Sequence, residues 1–378
     1  MNIAVPKETF PNERRVALTP LVAAALAKSG ARVEIEAGAG SRAGYLDEQY
    51  VQRGAHIVAD RGELLTNADV VVCVRTLGAN PNAGAADLEL MRPRQVWIGL
   101  ADPLGRPELI ASVAERGVSL LALELVPRIS RAQSMDVLSS QASIAGYRAV
   151  LLAATVLPKM FPMMTTAAGT ITPAKVFVFG AGVAGLQAIA TARRLGAVVS
   201  AYDVRAAVKE QVHSLGAKFV EMPLDTAAAE GQGGYAKAMD AEFYRRQAEF
   251  LGPIVAESDI VITTAAVPGK PAPRVIWADM VRHMAPGSVI VDLAAERGGN
   301  CELTVADQTV IEHGVSILGP TNLASDVAFH ASAMFAKNVA ALLTHLTRDG
   351  QVRIDTADEI TRETLVAHEG RALREPRG

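Results

Sequence analysis

Residues 175–203 read KVFVFGAGVAGLQAIATARRLGAVVSAYD. An apolar run of strand length ends at Gly180, glycines recur at 182 and 185, a helical pattern closes at Gly196, and a second apolar run finishes in Asp203. Strand, sharp turn, helix and strand in so short a span make a βαβ unit, and a βαβ unit implies a parallel sheet covered by helices. Short β-branched runs alternating with helical patterns occur on both sides of it. NIAVP, ARVEIEAG, ADVVVCV, RQVWIGLAD and VSLLALELVP precede residue 127, while AKFVEM, DIVITTA, SVIVDLA and VSILGP follow residue 203. With 378 residues, more than one hydrophobic core normally holds, the chain is expected to form two domains.

The expected class is therefore α/β: two Rossmann-like, doubly wound parallel-sheet domains linked by long helices. Helical patterns around Val137–Leu151 and Val327–Leu342 are read as the crossings between them. That places residues 1–134 with 326–378 in a discontinuous first domain and 135–325 in a second. From Thr347 onward the chain is charged and reads as a tail.

Gly180, Gly182 and Gly185 stand in G-x-G-x-x-G spacing, and the strand and helix around them give the spacing its weight. Gly180 permits the tight turn, Gly182 lets the backbone approach a pyrophosphate, and Gly185 brings the helix close to the strand. Val183 and Ala184 open the helix, whose amino end offers N–H groups and a positive dipole to phosphate. Asp203 suits the adenosine ribose hydroxyls, and its charge disfavours a 2′-phosphate, so NAD is expected over NADP. Val204 and Arg205 follow it, and Arg205 pulls the other way, because an arginine there can pair with a 2′-phosphate. A βαβ unit that uses its glycines for packing alone is the plainer alternative. VPGKPAP, at Val267–Pro273, either flanks a bound nicotinamide or ends a strand.

Other chemistries find little support. The net charge of -3, with no basic cluster, gives no footprint for nucleic acid or an anionic membrane surface. Cys73 and Cys301 stand alone, and seven scattered histidines show no metal-ligand spacing, so no metal site is expected. MNIAVPKE lacks the layout of a signal peptide, and the apolar run 149–169 is broken by Pro158, Lys159 and Pro162, which points to a cytoplasmic chain without a membrane span.

PRISRAQSMDVLSSQ, residues 127–141, is too polar for a plain connector. Ser134 and Asp136 are good helix N-cap types, so capping explains part of it. Arg128, Arg131 and Gln133 remain as candidates for holding a polar ligand. No nucleophile elbow, Walker loop or Cys–His pair accompanies the nucleotide motif. Oxidising an alcohol or amine moves a proton with the hydride and calls for an acid–base group. Hydride exchange between two nicotinamides needs only two rings held face to face.

PRISRAQSMDVLSSQ, GAGVAGLQAIATARRLGA, GGYAKAM (233–239) and TTAAVPGKPAP together resemble the NAD(H)-binding component of proton-translocating nicotinamide nucleotide transhydrogenase, from IAVPKE to beyond TNLASDVA. The resemblance implies hydride transfer between NAD(H) held here and NADP(H) held on a partner, coupled to proton movement through a membrane-embedded component. It implies that Arg128, Gln133 and Asp136 place the nicotinamide, that Ser139 contacts its carboxamide, that Gly234 and Tyr235 belong to a mobile loop, and that Gln247 and Val267 line the nucleotide. It further implies a homodimer docked peripherally, through partner subunits, on the cytoplasmic side of the inner membrane. Alanine dehydrogenase shares the ERRVALTP opening, but its lysine and histidine positions correspond here to Arg75 and to Gly99, Leu100 or Ala101. A nonenzymatic NAD-sensing module is the third reading.

Overall fold

The computed structural model describes residues 1–222, 241–267 and 269–373. The chain divides into two compact units, residues 1–141 with 324–378, and residues 142–323. The boundary falls at Gln141 rather than Ser134 because the first turn of the helix Val137–Val156 is tied into the first unit, where Ser140 and Gln141 bond to Asn338 and Ala331. That helix runs from one unit into the other. The way back is the short turn Leu323–Val327, and the long helix after it, Ala328–Leu346, belongs wholly to the first unit.

In the first unit, strands Asn2–Val5, Arg32–Glu36, His56–Val58, Val70–Arg75, Val96–Leu100 and Ser119–Ala122 lie parallel, in the spatial order third, second, first, fourth, fifth, sixth. Leu365–His368 extends the sheet, antiparallel to Ser119–Ala122, so the segment read as a charged tail supplies a buried strand. The apolar runs are continuous because both sheet faces are covered. Val70, Val72 and Val74 enter one core cluster, and Val71 and Cys73 enter the other, as the two-residue period of a strand requires.

The second unit repeats the order. Lys175–Phe179, Val198–Tyr202, Lys218–Phe219, Ile260–Thr263, Val289–Asp292 and Val315–Leu318 are parallel, again arranged third, second, first, fourth, fifth, sixth. This is the strand order of dinucleotide-binding sheets, with the reversal between the first and fourth strands. Val176 and Val178 face one core cluster, Phe177 and Phe179 the other. Three elements carry no strong signal in the sequence: the three-residue strand His56–Val58, the antiparallel edge Thr309–Glu312, and an exposed hairpin pairing Met164–Thr166 with Gly169–Ile171. Cys73 and Cys301 are buried thiols. The stretch Leu323–Leu346 is long and apolar enough to cross a membrane, yet half of it is buried within the protein.

Candidate functional site

The glycine loop joins Lys175–Phe179 to the helix Val183–Arg194, and its three glycines are required for different reasons. Gly180 has φ +95°, a region that favours glycine, and a Cβ there would lie 2.4 Å from Thr264 Oγ1. At Gly185 a Cβ would lie 1.8 Å from the Gly180 carbonyl oxygen, so helix and turn could not pack. Gly182 is different. Its φ is -75°, and a Cβ there would find nothing nearer than Arg205 Nη2 at 3.9 Å. Nothing inside the protein demands glycine at 182, whereas a ligand laid on the backbone does. No side chain caps the amino end of the helix, and no acidic residue occupies its first turn, so Val183 and Ala184 sit where N–H groups meet an anion. These features fit a pyrophosphate.

Asp203 lies at the end of the next strand, and its side chain is almost wholly buried. Its carboxylate accepts hydrogen bonds from the Ala181 N–H at 2.7 Å and the Arg205 N–H at 2.8 Å, and pairs with the Arg205 guanidinium through Nε at 2.9 Å and Nη2 at 2.7 Å. Asp203 therefore fastens the glycine loop as well as standing where a ribose would. Arg205 answers its charge, which weakens charge repulsion as the basis for rejecting a 2′-phosphate. Val204 between them is half-buried.

Residues the sequence did not single out complete this end of the sheet. Gly146 lets the long helix touch the loop: a Cβ there would lie 2.1 Å from the Ala184 carbonyl oxygen. Asp292 is fully buried and accepts from the N–H groups of Ala294, Asn300 and Cys301 and from Thr304 Oγ1, at 2.7–3.0 Å. Asn300, equally buried, holds the following loop by accepting from the Ala265 N–H and donating to the carbonyls of Ala265 and Pro273. Val267 lies half-buried in that loop. Gln247 sits on the helix Ala241–Ala256, 1% exposed, and its amide donates to Tyr202 Oη at 3.0 Å. It braces the strand that ends beside Asp203. Gly234 and Tyr235 lie outside the described residues.

In the first unit the polar loop is a 3-10 turn, Ser130–Met135, leading into the long helix. Ala132, Met135 and Val137 enter the core, each large apolar side chain adding about 1.5–3 kcal/mol of burial. Arg128, Arg131, Gln133 and Ser134 are left on the surface. Asp136 accepts from the Ser139 N–H at 2.9 Å and Ser139 Oγ at 2.6 Å, the geometry of an N-cap. Capping thus accounts for Asp136 and Ser139 but for neither Arg128 nor Gln133. Ser134, the other capping candidate, instead offers its carbonyl oxygen to Asn338.

Nearby, Arg15 is buried, chelated by Glu13 at 2.7 and 2.8 Å, and donates to Gln141 Oε1 at 2.9 Å. Arg75 reaches the same glutamate at 3.4 Å and stacks on Phe10. Glu8 behind them accepts from the N–H groups of Val74 and Arg75, and its carboxyl is pushed up to about 8 by burial and then by the charge of Glu13. A guanidinium stays protonated throughout the working range, so Arg75 supplies no acid–base group. At Gly99 a Cβ would strike the Cys73 carbonyl oxygen at 2.7 Å, and Ala101 is fully buried.

Two sheets of dinucleotide-binding strand order, with a phosphate-accepting glycine loop on the second, define a nucleotide-dependent protein of the double-Rossmann class. Residues 4–145 match the family model "Alanine dehydrogenase/PNT, N-terminal domain" and residues 149–375 match "Alanine dehydrogenase/PNT, C-terminal domain". The chain belongs to this alanine dehydrogenase/PNT family, on the side of the NAD(P) transhydrogenase alpha subunits. It is 47% identical to the first of the chains that make up the NAD(P) transhydrogenase alpha subunit of Rhodospirillum rubrum, over 98% of this chain and 97% of that one. The solved structure of a transhydrogenase from Sinorhizobium meliloti superposes with a TM-score of 0.84 at 43% identity, covering 99% of both chains. An L-alanine dehydrogenase structure follows with a TM-score of 0.82 at 26% identity, covering 99% of this chain and 97% of that one.

Proposed function

We propose that this chain is the NAD(H)-binding subunit of a proton-translocating transhydrogenase. NAD(H) is held by Gly180, Gly182, Val183, Ala184, Gly185, Asp203, Val204 and Arg205, with Gln247, Val267 and the segment containing Gly234 and Tyr235 contributing. Arg128, Gln133, Asp136 and Ser139 place the nicotinamide for exchange with NADP(H) on a partner subunit. In the step itself a hydride leaves C4 of NADH and arrives at C4 of NADP⁺, giving NAD⁺ and NADPH, with no proton changing hands. Proton movement belongs to the membrane-spanning partner.

The observation that carries this reading is the pairing of a polar turn anchored by apolar residues with the absence of an acid–base group at Arg75 and Gly99. Arg128 and Gln133 face outward from that turn, as residues that meet another protein's cofactor must. The relatives' designation as a subunit supports partner chains and, through them, a peripheral place on the cytoplasmic side of the inner membrane. A homodimer belongs to the same reading. Tyr147, Val156, Met160, Met163, Met164 and Ile171 leave apolar surface exposed that a second copy would cover, and a monomer in sedimentation at micromolar concentration would count against it.

Gln133→Asn shortens one exposed amide and leaves the glycine loop untouched. It is expected to slow transhydrogenation by about tenfold or more, about 1.4 kcal/mol in the barrier, with the NADH dissociation constant within about twofold of wild type. Fluorescence titration and steady-state rates with the partner components check this. Parallel loss of NADH binding would refute the role assigned to Gln133.

A further inference from the structure

We infer that Asn338 is a positioning residue for the polar loop, at the centre of a buried hydrogen-bonded assembly that fixes the loop from behind. This inference rests on the functional reading above.

Asn338 lies on the helix Ala328–Leu346, among Ala331, Phe335, Val339 and Leu342, all fully buried. An amide on such a face loses stability unless its polar atoms are satisfied. Both of its bonds go to the loop, one on each side of Asp136. Asn338 Nδ2 donates to the Ser134 carbonyl at 2.7 Å, and Ser140 Oγ donates to Asn338 Oδ1 at 2.8 Å. The stretch carrying Asp136 and Ser139 is thus pinned at both ends by one side chain.

The assembly continues in each direction. Gln141 Nε2 donates to Ser140 Oγ at 3.2 Å and to the Ala331 carbonyl at 3.1 Å, while its Oε1 accepts from Arg15. At the front of the turn, Arg131 donates to Asp358 Oδ1 at 2.7 Å, and the other oxygen of Asp358 pairs with His345 at 2.9 Å. These partners all belong to the first unit, and most come from residues 331–358. None uses the side chains of Arg128 or Gln133. Hydride transfer depends steeply on the placement of the reacting ring, so a rigid backing to the loop is a requirement of the chemistry and not only of the fold.

The test is single-turnover hydride transfer from NADH to NADP⁺ with the partner components, alongside NADH titration and thermal unfolding. Asn338→Ala is expected to slow transfer by about tenfold or more, toward the hundredfold that a displacement of about 1 Å can produce, with NADH affinity within about threefold of wild type. Ser140→Ala, which removes one arm, is expected to slow transfer less, and the double variant to be no slower than Asn338→Ala. Val339→Ala, a cavity in the same helix, is expected to lower the unfolding midpoint without slowing transfer. Transfer at the wild-type rate in Asn338→Ala overturns the inference, as does a loss that Val339→Ala reproduces. If Asn338→Ala does not fold, Ser140→Ala decides: slower transfer at unchanged NADH affinity supports the role, and an unchanged rate removes it. A wild-type protein that transfers no hydride overturns the functional reading and this inference together, an outcome distinguishable from failure of the variants alone.

Discussion

Gly182→Ala and Gly185→Ala are expected to fail in different ways, although the two glycines stand three residues apart in one motif. Alanine at 185 places a Cβ 1.8 Å from the Gly180 carbonyl oxygen and 2.8 Å from its carbon, both backbone atoms that no rotamer change can move. The turn or the helix must shift, at about 1–3 kcal/mol by the usual measure of overpacking, and the loop that receives phosphate shifts with it. Stability and NADH binding fall together. Alanine at 182 meets only the far end of Arg205 at 3.9 Å, and φ of -75° suits any residue. Its unfolding midpoint is expected within about a degree or two of wild type, because nothing internal clashes. NADH affinity is nonetheless expected to fall by about 100-fold or more, roughly 2.8 kcal/mol, because the methyl occupies the path of the pyrophosphate. Calorimetric unfolding and NADH titration of both variants decide the matter. A Gly182→Ala protein that binds NADH normally would mean that no dinucleotide lies on this loop.

Asp292→Ala is expected to produce the largest loss of stability. The carboxylate is fully buried and receives three backbone N–H groups and one hydroxyl. Truncation leaves those donors without an acceptor in the interior and opens a cavity. Losses of about 3–5 kcal/mol are typical when one side of a buried charged network is removed. For a domain of this size that corresponds to a fall of roughly 8–15 °C in the unfolding midpoint of the second unit. Asp292→Asn, which keeps one oxygen acceptor, is expected to lose about half as much. The change reaches the site because Asp292 holds the N–H of Asn300, and Asn300 holds Ala265 and Pro273. A midpoint within about 3 °C of wild type in Asp292→Ala would show the network to be dispensable.

These two cases also show what the sequence could and could not disclose. The glycine loop was legible because its physics is local: strand, turn, helix and Asp203 fall within residues 175–203, and the spacing itself carries the geometry. Capping by Asp136 was legible for the same reason, since it reaches only to Ser139. Asp292 as a hub, Asn300 as a loop clasp, Gly146 as a contact point and Asn338 as a double clamp were not legible. Their partners are brought close by folding: Asn338 and Ser134 are 204 residues apart in the chain. Arg205 was visible as a rival to Asp203, but only the folded structure shows it clamped onto that carboxylate. The strand Leu365–His368 escaped because four residues at an antiparallel edge, set among charges, carry little periodicity.

The measurement that bears most directly on function follows the hydride itself. The purified protein is mixed with its membrane and NADP(H)-binding partners, NADH deuterated at the transferable C4 position, and NADP⁺, and the NADPH formed is analysed for label. Direct exchange between two nicotinamides gives NADPH carrying the deuterium at C4, with none released to water, and pyruvate plus ammonium in place of NADP⁺ gives no NADH oxidation. NADPH without the label, or oxidation driven only by pyruvate and ammonium, would contradict direct transfer.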